Sequence, residues 1–196
     1  MFTGIIEALG TVIDIRPELE NKTFWIQSPI SSTFKVDQSV SHNGVCLTVE
    51  EIKENAHRIT AVSETLEKST LDSWENGKSI NLETCLSING KLDGHLVQGH
   101  VDARARVIKV TDGNGSRLIE FRFPEKFAPL VIEKGSIAVD GTSLTAFNVR
   151  KRRFTVAVIP FTLEHTNLRY LQEDEEVNLE FDLIGKYIMR KLSLEK

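Results

Sequence analysis

Asn43-Gly44-Val45-Cys46-Leu47-Thr48 has a twin 97 residues further on, Asp140-Gly141-Thr142-Ser143-Leu144-Thr145. Each copy opens with an Asx-Gly turn signal and runs into an alternating strand. Successive side chains of a strand point to opposite faces. Val45, Leu47 and Val49 therefore suit a core, while Cys46 and Thr48 are offered outward. In the twin, Leu144 and Ala146 take the core face, and Ser143 and Thr145 the outer one.

The register recurs elsewhere. Thr65-Leu66-Glu67 matches Thr162-Leu163-Glu164 and Leu71 matches Leu168, both at the offset of 97. Asn81-Leu82-Glu83 matches Asn178-Leu179-Glu180 at the same offset. Phe2-Thr3-Gly4-Ile5-Ile6-Glu7 parallels Val97-Gln98-Gly99-His100-Val101-Asp102 at an offset of 95. A period this long exceeds the roughly 20–50 residues of solenoid repeats. It points to internal duplication of a whole small domain.

Candidate strands lie at 5–15, 23–28, 39–42, 45–52, 58–64 and 79–83. The second half repeats them at 96–110, 117–123, 136–139, 143–149, 154–159 and 177–181. Short strands punctuated by turn signals argue for an all-β barrel or sandwich. Helical turns are expected at 31–34, 66–71, 125–131 and 163–168. The polar stretch 87–93 marks the boundary, giving domains at 1–90 and 91–182. From Leu183 the apolar residues fall at i, i+4 spacing, as in an amphipathic helix over 183–196. It has no counterpart in the first half. Packing on its own barrel and oligomerisation both fit that pattern.

Composition excludes several classes. Forty per cent of the 196 residues are hydrophobic, enough for a folded core. The net charge of −4 and the scattered basic residues speak against nucleic-acid binding. The run Arg150-Lys151-Arg152-Arg153 reads as a solvated hairpin turn. Cys46 and Cys85 have neither metal-type spacing nor a disulfide framework. No secretory signal or membrane span is expected, and the default home is cytoplasmic.

Several side chains could carry chemistry. His95 and His100, read as strand residues five apart, would face opposite ways and form no metal pair. Either suits a hydrogen-bonded structural role; His100 gains from its place in the repeat, and imidazole suits proton transfer near neutral pH. Cys46 could be a nucleophile or an inert thiol. Ser143 could pair with Asp182 or His100. There is no nucleophile elbow, phosphate loop or dinucleotide fingerprint.

In combination these motifs resemble riboflavin synthase of the alpha-chain type. The resemblance is carried by Met1-Phe2-Thr3-Gly4-Ile5-Ile6-Glu7, by Asn43 to Val49, and by Gly94-His95-Leu96-Val97-Gln98-Gly99-His100-Val101-Asp102. It continues through Lys134 to Thr145, Ile159-Pro160-Phe161-Thr162-Leu163-Glu164, and Val177 to Tyr187. The family implies two tandem six-stranded antiparallel Greek-key β-barrels and a C-terminal α-helix that mediates a homotrimer. It implies a dismutation in which two molecules of 6,7-dimethyl-8-ribityllumazine exchange a four-carbon unit. The products are riboflavin and 5-amino-6-ribitylaminouracil. No metal, flavin or nicotinamide cofactor is implied, and lumazine synthase is an implied partner.

The same resemblance assigns residues. Phe2, Cys46, Thr48, His100, Ser143, Thr145 and Asp182 correspond to its catalytic set, with His100–Thr145 and Ser143–Asp182 as relays. Ligand contacts correspond to Gly4, Ile5, Ile6, Cys46, Leu47, Thr48 and to Thr60, Ala61, Val62, Ser63, Glu64, Thr65. They correspond further to Gly99, His100, Val101, Lys134, Ser143, Leu144, Thr145 and to Ile159, Pro160, Phe161, Thr162, Leu163, Glu164. Ser63, Thr84-Cys85, Asp93 and Phe161 depart from the family pattern. The alternative within the same fold is a non-catalytic lumazine- or flavin-binding antenna protein.

Overall fold

The computed structural model describes residues 1–113 and 115–195. Lys196, the last position of the expected helical segment, lies outside the described residues, as does Asn114. Two antiparallel sheets form the framework of the chain. The first contains β1 (Ala8–Glu18), β2 (Asn21–Gln27), β3 (Ser39–His42), β4 (Val45–Thr48), β5 (Glu51–Lys53), β6 (Ala56–Ala61) and β7 (Ser79–Thr84). Its hydrogen-bonded order is β4-β3-β7-β1-β2-β6-β5. Helix α1 (Ser63–Lys68) follows β6.

The second sheet repeats this with β8 (Ala103–Gly113), β9 (Ser116–Arg122), β10 (Ser136–Val139), β11 (Thr142–Thr145), β12 (Phe147–Arg150), β13 (Arg153–Val158) and β14 (Glu176–Phe181). Its order is β11-β10-β14-β8-β9-β13-β12, and helix α2 (Pro160–His165) follows β13. Matching topologies bear out the duplication read from the 97-residue register.

Each sheet has seven hydrogen-bonded strands where six are expected, because one expected strand is bent. The segment 45–52 breaks after Thr48. Val49 still hydrogen-bonds to the Asp37–Gln38 side, while the Glu50 amide already donates to Arg58 O at 2.9 Å. The bent strand thus pairs at both edges of the sheet and curls it into a barrel. The segment 143–149 breaks at Ala146 in the same way. Arg150 ends β12 and Arg153 begins β13, so the basic run is the hairpin turn expected.

Alternation places Val45, Leu47 and Val49 in the first core with Phe24, Ile26, Ile59 and Leu82. Ala146 joins Phe121, Phe154, Leu179 and Phe181 in the second. Thr48 and Thr145 are exposed, and Cys46 and Ser143 are half-buried. The outward offer of Cys46, Thr48, Ser143 and Thr145 is therefore met.

The openings of the two repeats are not strands at 5–15 and 96–110. β1 begins at Ala8 and β8 at Ala103. Each preceding segment is instead drawn onto a buried carboxylate. Glu83 accepts from the amides of Thr3 and Gly4 at 2.6 and 3.0 Å. Its twin Glu180 accepts from those of Gln98, Gly99 and His100 at 2.6, 2.9 and 3.0 Å. These charge-assisted bonds favour a tight turn over a ladder.

Helix α3 (Leu183–Leu194) is capped by Asp182, whose carboxylate accepts from the Ile184 amide at 2.9 Å. Lys186 binds Asp102 at 2.6 Å, which ties the helix to the second barrel. Ile184, Tyr187, Ile188 and Leu192 remain exposed. Among the described residues no helix is long and apolar enough to cross a membrane.

Candidate functional site

The two repeats embrace each other through their openings. Phe2 pairs with Val97 in an antiparallel bridge, N–H to O at 2.7 Å in one direction and 3.1 Å in the other. From there each opening crosses to the other repeat's hairpin. The Cys46 amide donates to Gly99 O and the Ser143 amide to Gly4 O, both at 2.8 Å. Gly4 and Gly99 have φ of +76° and +81°, and a Cβ on either would strike the Ser143 or Cys46 side chain. Only glycine permits this approach. Cys46 and Ser143 are thus equivalent positions in two related half-sites.

Polar groups fix the pairing of the barrels. Asn81 Nδ2 donates to Asp140 O and Asn178 Nδ2 to Asn43 O, both at 2.9 Å. Asn167 Nδ2 donates to the Asp140 carboxylate at 2.9 Å. Burial pushes the Asp140 carboxyl up to about 6. Buried polar groups must find partners; the Asn81 and Asn178 side-chain amides find theirs in the twin repeat, while the Asp140 carboxylate is held within its own by Asn167 and the Asn178 backbone amide.

In the first half-site a cavity of about 220 Å³ is lined by Cys46, Glu64, Thr65, Lys68, Gly99, His100 and their neighbours. His100 is exposed at its wall, with its backbone held by Glu180. Burial raises the Cys46 thiol above its ordinary range, so it is a neutral thiol rather than a ready nucleophile. Glu64 and Lys68 are ion-paired across one turn of α1. Thr65 lines the same cavity, whereas Val62 is exposed just before α1 and Ser63 borders a separate depression with Leu66 and Glu67. Thr60 bonds Glu50 at 3.0 Å from the end of β6, before Ala61 turns inward.

In the second half-site Ser143 Oγ lies 2.7 Å from His95 Nδ1. His95 is only 8 % exposed. Burial lowers its pKa, partly opposed by the negative charge of Asp182. Ser143 and His95 form a hydroxyl–imidazole pair, while Asp182 caps α3 and bears on His95 through its charge alone. Thr145 is exposed two residues beyond Ser143, and Lys134 lies over the Phe147 ring at 5.2 Å. Ile159, Pro160 and Phe161 are exposed at the start of α2, with Thr162, Leu163 and Glu164 following.

Within one chain, then, His100 stands with Cys46 and Ser143 stands with His95. The sequence reading paired His100 with Thr145 and Ser143 with Asp182, and set His95 aside as structural. It placed both histidines on a strand, whereas 95–100 is irregular and folded back by Glu180. The Gly-His spacing alone did not reveal which imidazole reaches Ser143. Phe2 is fully buried between the half-sites, packed with Val97, Ala138 and Cys46. Ile5 is exposed beside Ser143's partner Gly4, with Ile6 half-buried. Leu47 and Leu144 face the cores, and Val101 packs against the first core.

Comparison with known proteins agrees with the duplication. The lumazine binding domain family matches twice, at residues 3–85 and 98–182. Riboflavin synthase of Actinobacillus pleuropneumoniae is 35% identical over 96% of this chain and 88% of its own. That of Brucella abortus is 35% identical over the whole of both chains. Among solved structures, LumP complexed with riboflavin aligns with a TM-score of 0.87 at 21% identity, covering 92% of this chain and 99% of its own. LumP complexed with 6,7-dimethyl-8-(1'-D-ribityl) lumazine gives 0.85 at 20% identity, with the same coverage. At that identity the likeness is one of fold. The matched domain pair and the full-length relatives show that the chain belongs to the lumazine-binding-domain family of riboflavin synthases.

Proposed function

We propose that the protein converts two molecules of 6,7-dimethyl-8-ribityllumazine into riboflavin and 5-amino-6-ribitylaminouracil. The observation that carries this reading is the pair of equivalent half-sites, each presenting polar side chains on the outer strand face, in a chain matched end to end by riboflavin synthases. A binding-only protein has no need of Ser143 held by a buried imidazole.

The reaction requires loss of a proton from the 7-methyl group, then its return elsewhere. Ser143 with His95 is a proton relay of suitable composition, and Asp182 favours the imidazolium that would form. Acid–base groups of this kind contribute about 10²–10⁴ in rate. On the other half-site Cys46, Thr48 and His100 supply hydrogen-bond donors and acceptors. Two substrates in fixed orientation lower the barrier further, because their encounter entropy is lost on binding. Together they carry the atoms and electrons of both products.

The cavity beside Cys46 is smaller than the roughly 300 Å³ at which ligand pockets begin. A second surface closing over it would complete the site. The exposed apolar face of α3 offers a means, through a homotrimer that sets the first barrel of one subunit against the second barrel of a neighbour.

The test is direct. The protein is mixed with the lumazine and flavin absorbance is followed, with riboflavin and the diaminouracil expected in equal amounts. Tight binding without flavin would move the reading to an antenna-type carrier.

A further inference from the structure

Helix α1 carries three residues of the cavity wall beside Cys46, namely Glu64, Thr65 and Lys68. At six residues it is under two turns long, and helices this short are marginal in isolation. Its last carbonyls also need partners from outside the helix. Within the first repeat Ser69 satisfies Thr65 O, with its amide at 3.0 Å and its hydroxyl at 2.6 Å. The next two carbonyls are satisfied from the other barrel. Arg104, on β8, donates from Nη2 to Leu66 O at 2.7 Å and to Glu67 O at 3.2 Å. A guanidinium suits this place, because the C-terminal end of a helix carries partial negative charge.

Arg104 is itself fixed. Its Nη1 lies 3.7 Å from the Glu176 carboxylate on β14. Its Nε is buried and has no partner among the described residues, so the side chain is placed by its two terminal nitrogens. The duplication shows what is particular to this clamp. The connections that follow α1 and α2 are tethered alike: the Thr70 amide donates to Asn178 Oδ1 and the Asn167 amide to Asn81 Oδ1, both at 2.7 Å. The helices themselves are not. In the register that relates the repeats, Arg104 corresponds to Leu9 and Glu176 to Ser79. Leucine has no donor, so β1 offers α2 no such hold.

We propose that Arg104 is a positioning residue of the first half-site, supplied by the second barrel to hold α1 so that Glu64, Thr65 and Lys68 face the ligand beside Cys46. This rests on the lumazine reading above. A wall ordered before binding spares the ligand the cost of ordering it. Arg104 touches no reacting atom. Its loss acts on binding at one half-site and leaves the Ser143–His95 pair as it was.

The experiment uses the full chain with Arg104→Met, which keeps the stem, Arg104→Leu, which copies the twin, and Arg104→Lys, which keeps a charged donor. Arg104 is partly exposed, so folding is not at stake, and thermal melts verify that. Amide hydrogen exchange over 63–70 is followed without ligand, beside turnover of 6,7-dimethyl-8-ribityllumazine. Protection of the Cys46 thiol from alkylation is titrated with the lumazine and resolved from Cys85 by peptide mass spectrometry. Because Cys46 lines the cavity, its protection reports occupancy of the first half-site. In Arg104→Met and Arg104→Leu, exchange in α1 should quicken while α2 keeps the parental pattern. KM and the lumazine concentration that half-protects Cys46 should both rise about three- to tenfold, with a smaller change in kcat. Arg104→Lys should recover part of each loss. Faster exchange with parental protection curves would overturn the inference, since Arg104 would then only stabilise the helix. Parental exchange would overturn it as well, since there would be no clamp. If the parent binds lumazine without turnover, the catalytic reading fails, and exchange and protection alone decide this one. A parent in which lumazine never protects Cys46 overturns it whatever the turnover, and a parent that binds no lumazine overturns both.

Discussion

In the proposed reaction, the chemistry of the second half-site turns on His95. It touches Ser143 Oγ, and the charge of Asp182 partly opposes the lowering of its pKa by burial, which favours the imidazolium of the proposed relay. Replacing Ser143 by Ala keeps the strand, since core packing is done by Leu144 and Ala146. That variant and His95→Gln are both expected to lose about 10²–10⁴ in kcat with parental melting curves. Steady-state assays beside melts would check it; full turnover in both variants would remove the relay from the mechanism. Asp140 offers a second test. Its carboxyl, pushed by burial from 3.8 to about 6, is raised above its unfolded value. The folded state therefore binds the extra proton, and stability falls as pH rises from about 4 to about 6. His57 acts in the opposite sense. Burial lowers its imidazole to about 4, so its contribution is present above 6.5 and lost as pH falls toward 4. Asp140→Asn imitates the twin Asn43 but costs one acceptor to Asn167 or Asn178 at every pH. Relative to the parent it should gain stability across that window, by at most roughly 3 kcal/mol. Denaturant melts at pH 4, 5, 6 and 7 would measure it. A difference that does not vary with pH would contradict the buried-carboxylate account.

Among the elements, α3 is the one whose surroundings the chain does not complete. Asp182 and Lys186 anchor its first turn, yet Ile184, Tyr187, Ile188 and Leu192 face outward. If this face is the trimer contact, deleting 185–196 should give monomers in sedimentation velocity, with both barrels still folded. A truncated chain that sediments as the parent does would assign the helix another task. The amphipathic spacing was readable in the sequence because helical period and apolar type coincide. The strands were readable for the same reason: Val45, Leu47 and Val49 alternate with Cys46 and Thr48. What could not be read was the bend at Val49-Glu50, which depends on closing a barrel rather than on local preference. The openings at 1–7 and 94–102 were also misread. Their shape is set by Glu83 and Glu180, some eighty residues away in sequence. The pairing of His95 with Ser143 follows from that long-range turn, and no local pattern encodes it.

The whole molecule behaves as two barrels, each holding a piece of the other's site. We propose that residues 1–90 fold alone. The first core is drawn almost wholly from that span, with Phe24, Ile26, Ile59, Leu71 and Leu82 fully buried. Such a fragment, however, ends before Gly99, His100 and Val101, which form part of the cavity wall beside Cys46. It also loses the bond from the Cys46 amide to Gly99 O and the bridge between Phe2 and Val97. Each lost hydrogen bond is worth about 0.5–1.5 kcal/mol net, and Val101 leaves the core edge exposed. The fragment should therefore unfold cooperatively in a circular-dichroism melt but bind lumazine about tenfold or more weakly than the full chain, a factor equivalent to roughly 1.4 kcal/mol. Extending it through Asp102 restores the wall and should recover part of that affinity, without restoring turnover, since Ser143 is still absent. A disordered 1–90 fragment would show that the barrels fold only together. Affinity equal to the parent's in that fragment would show that the crossing segment shapes the cavity without holding the ligand.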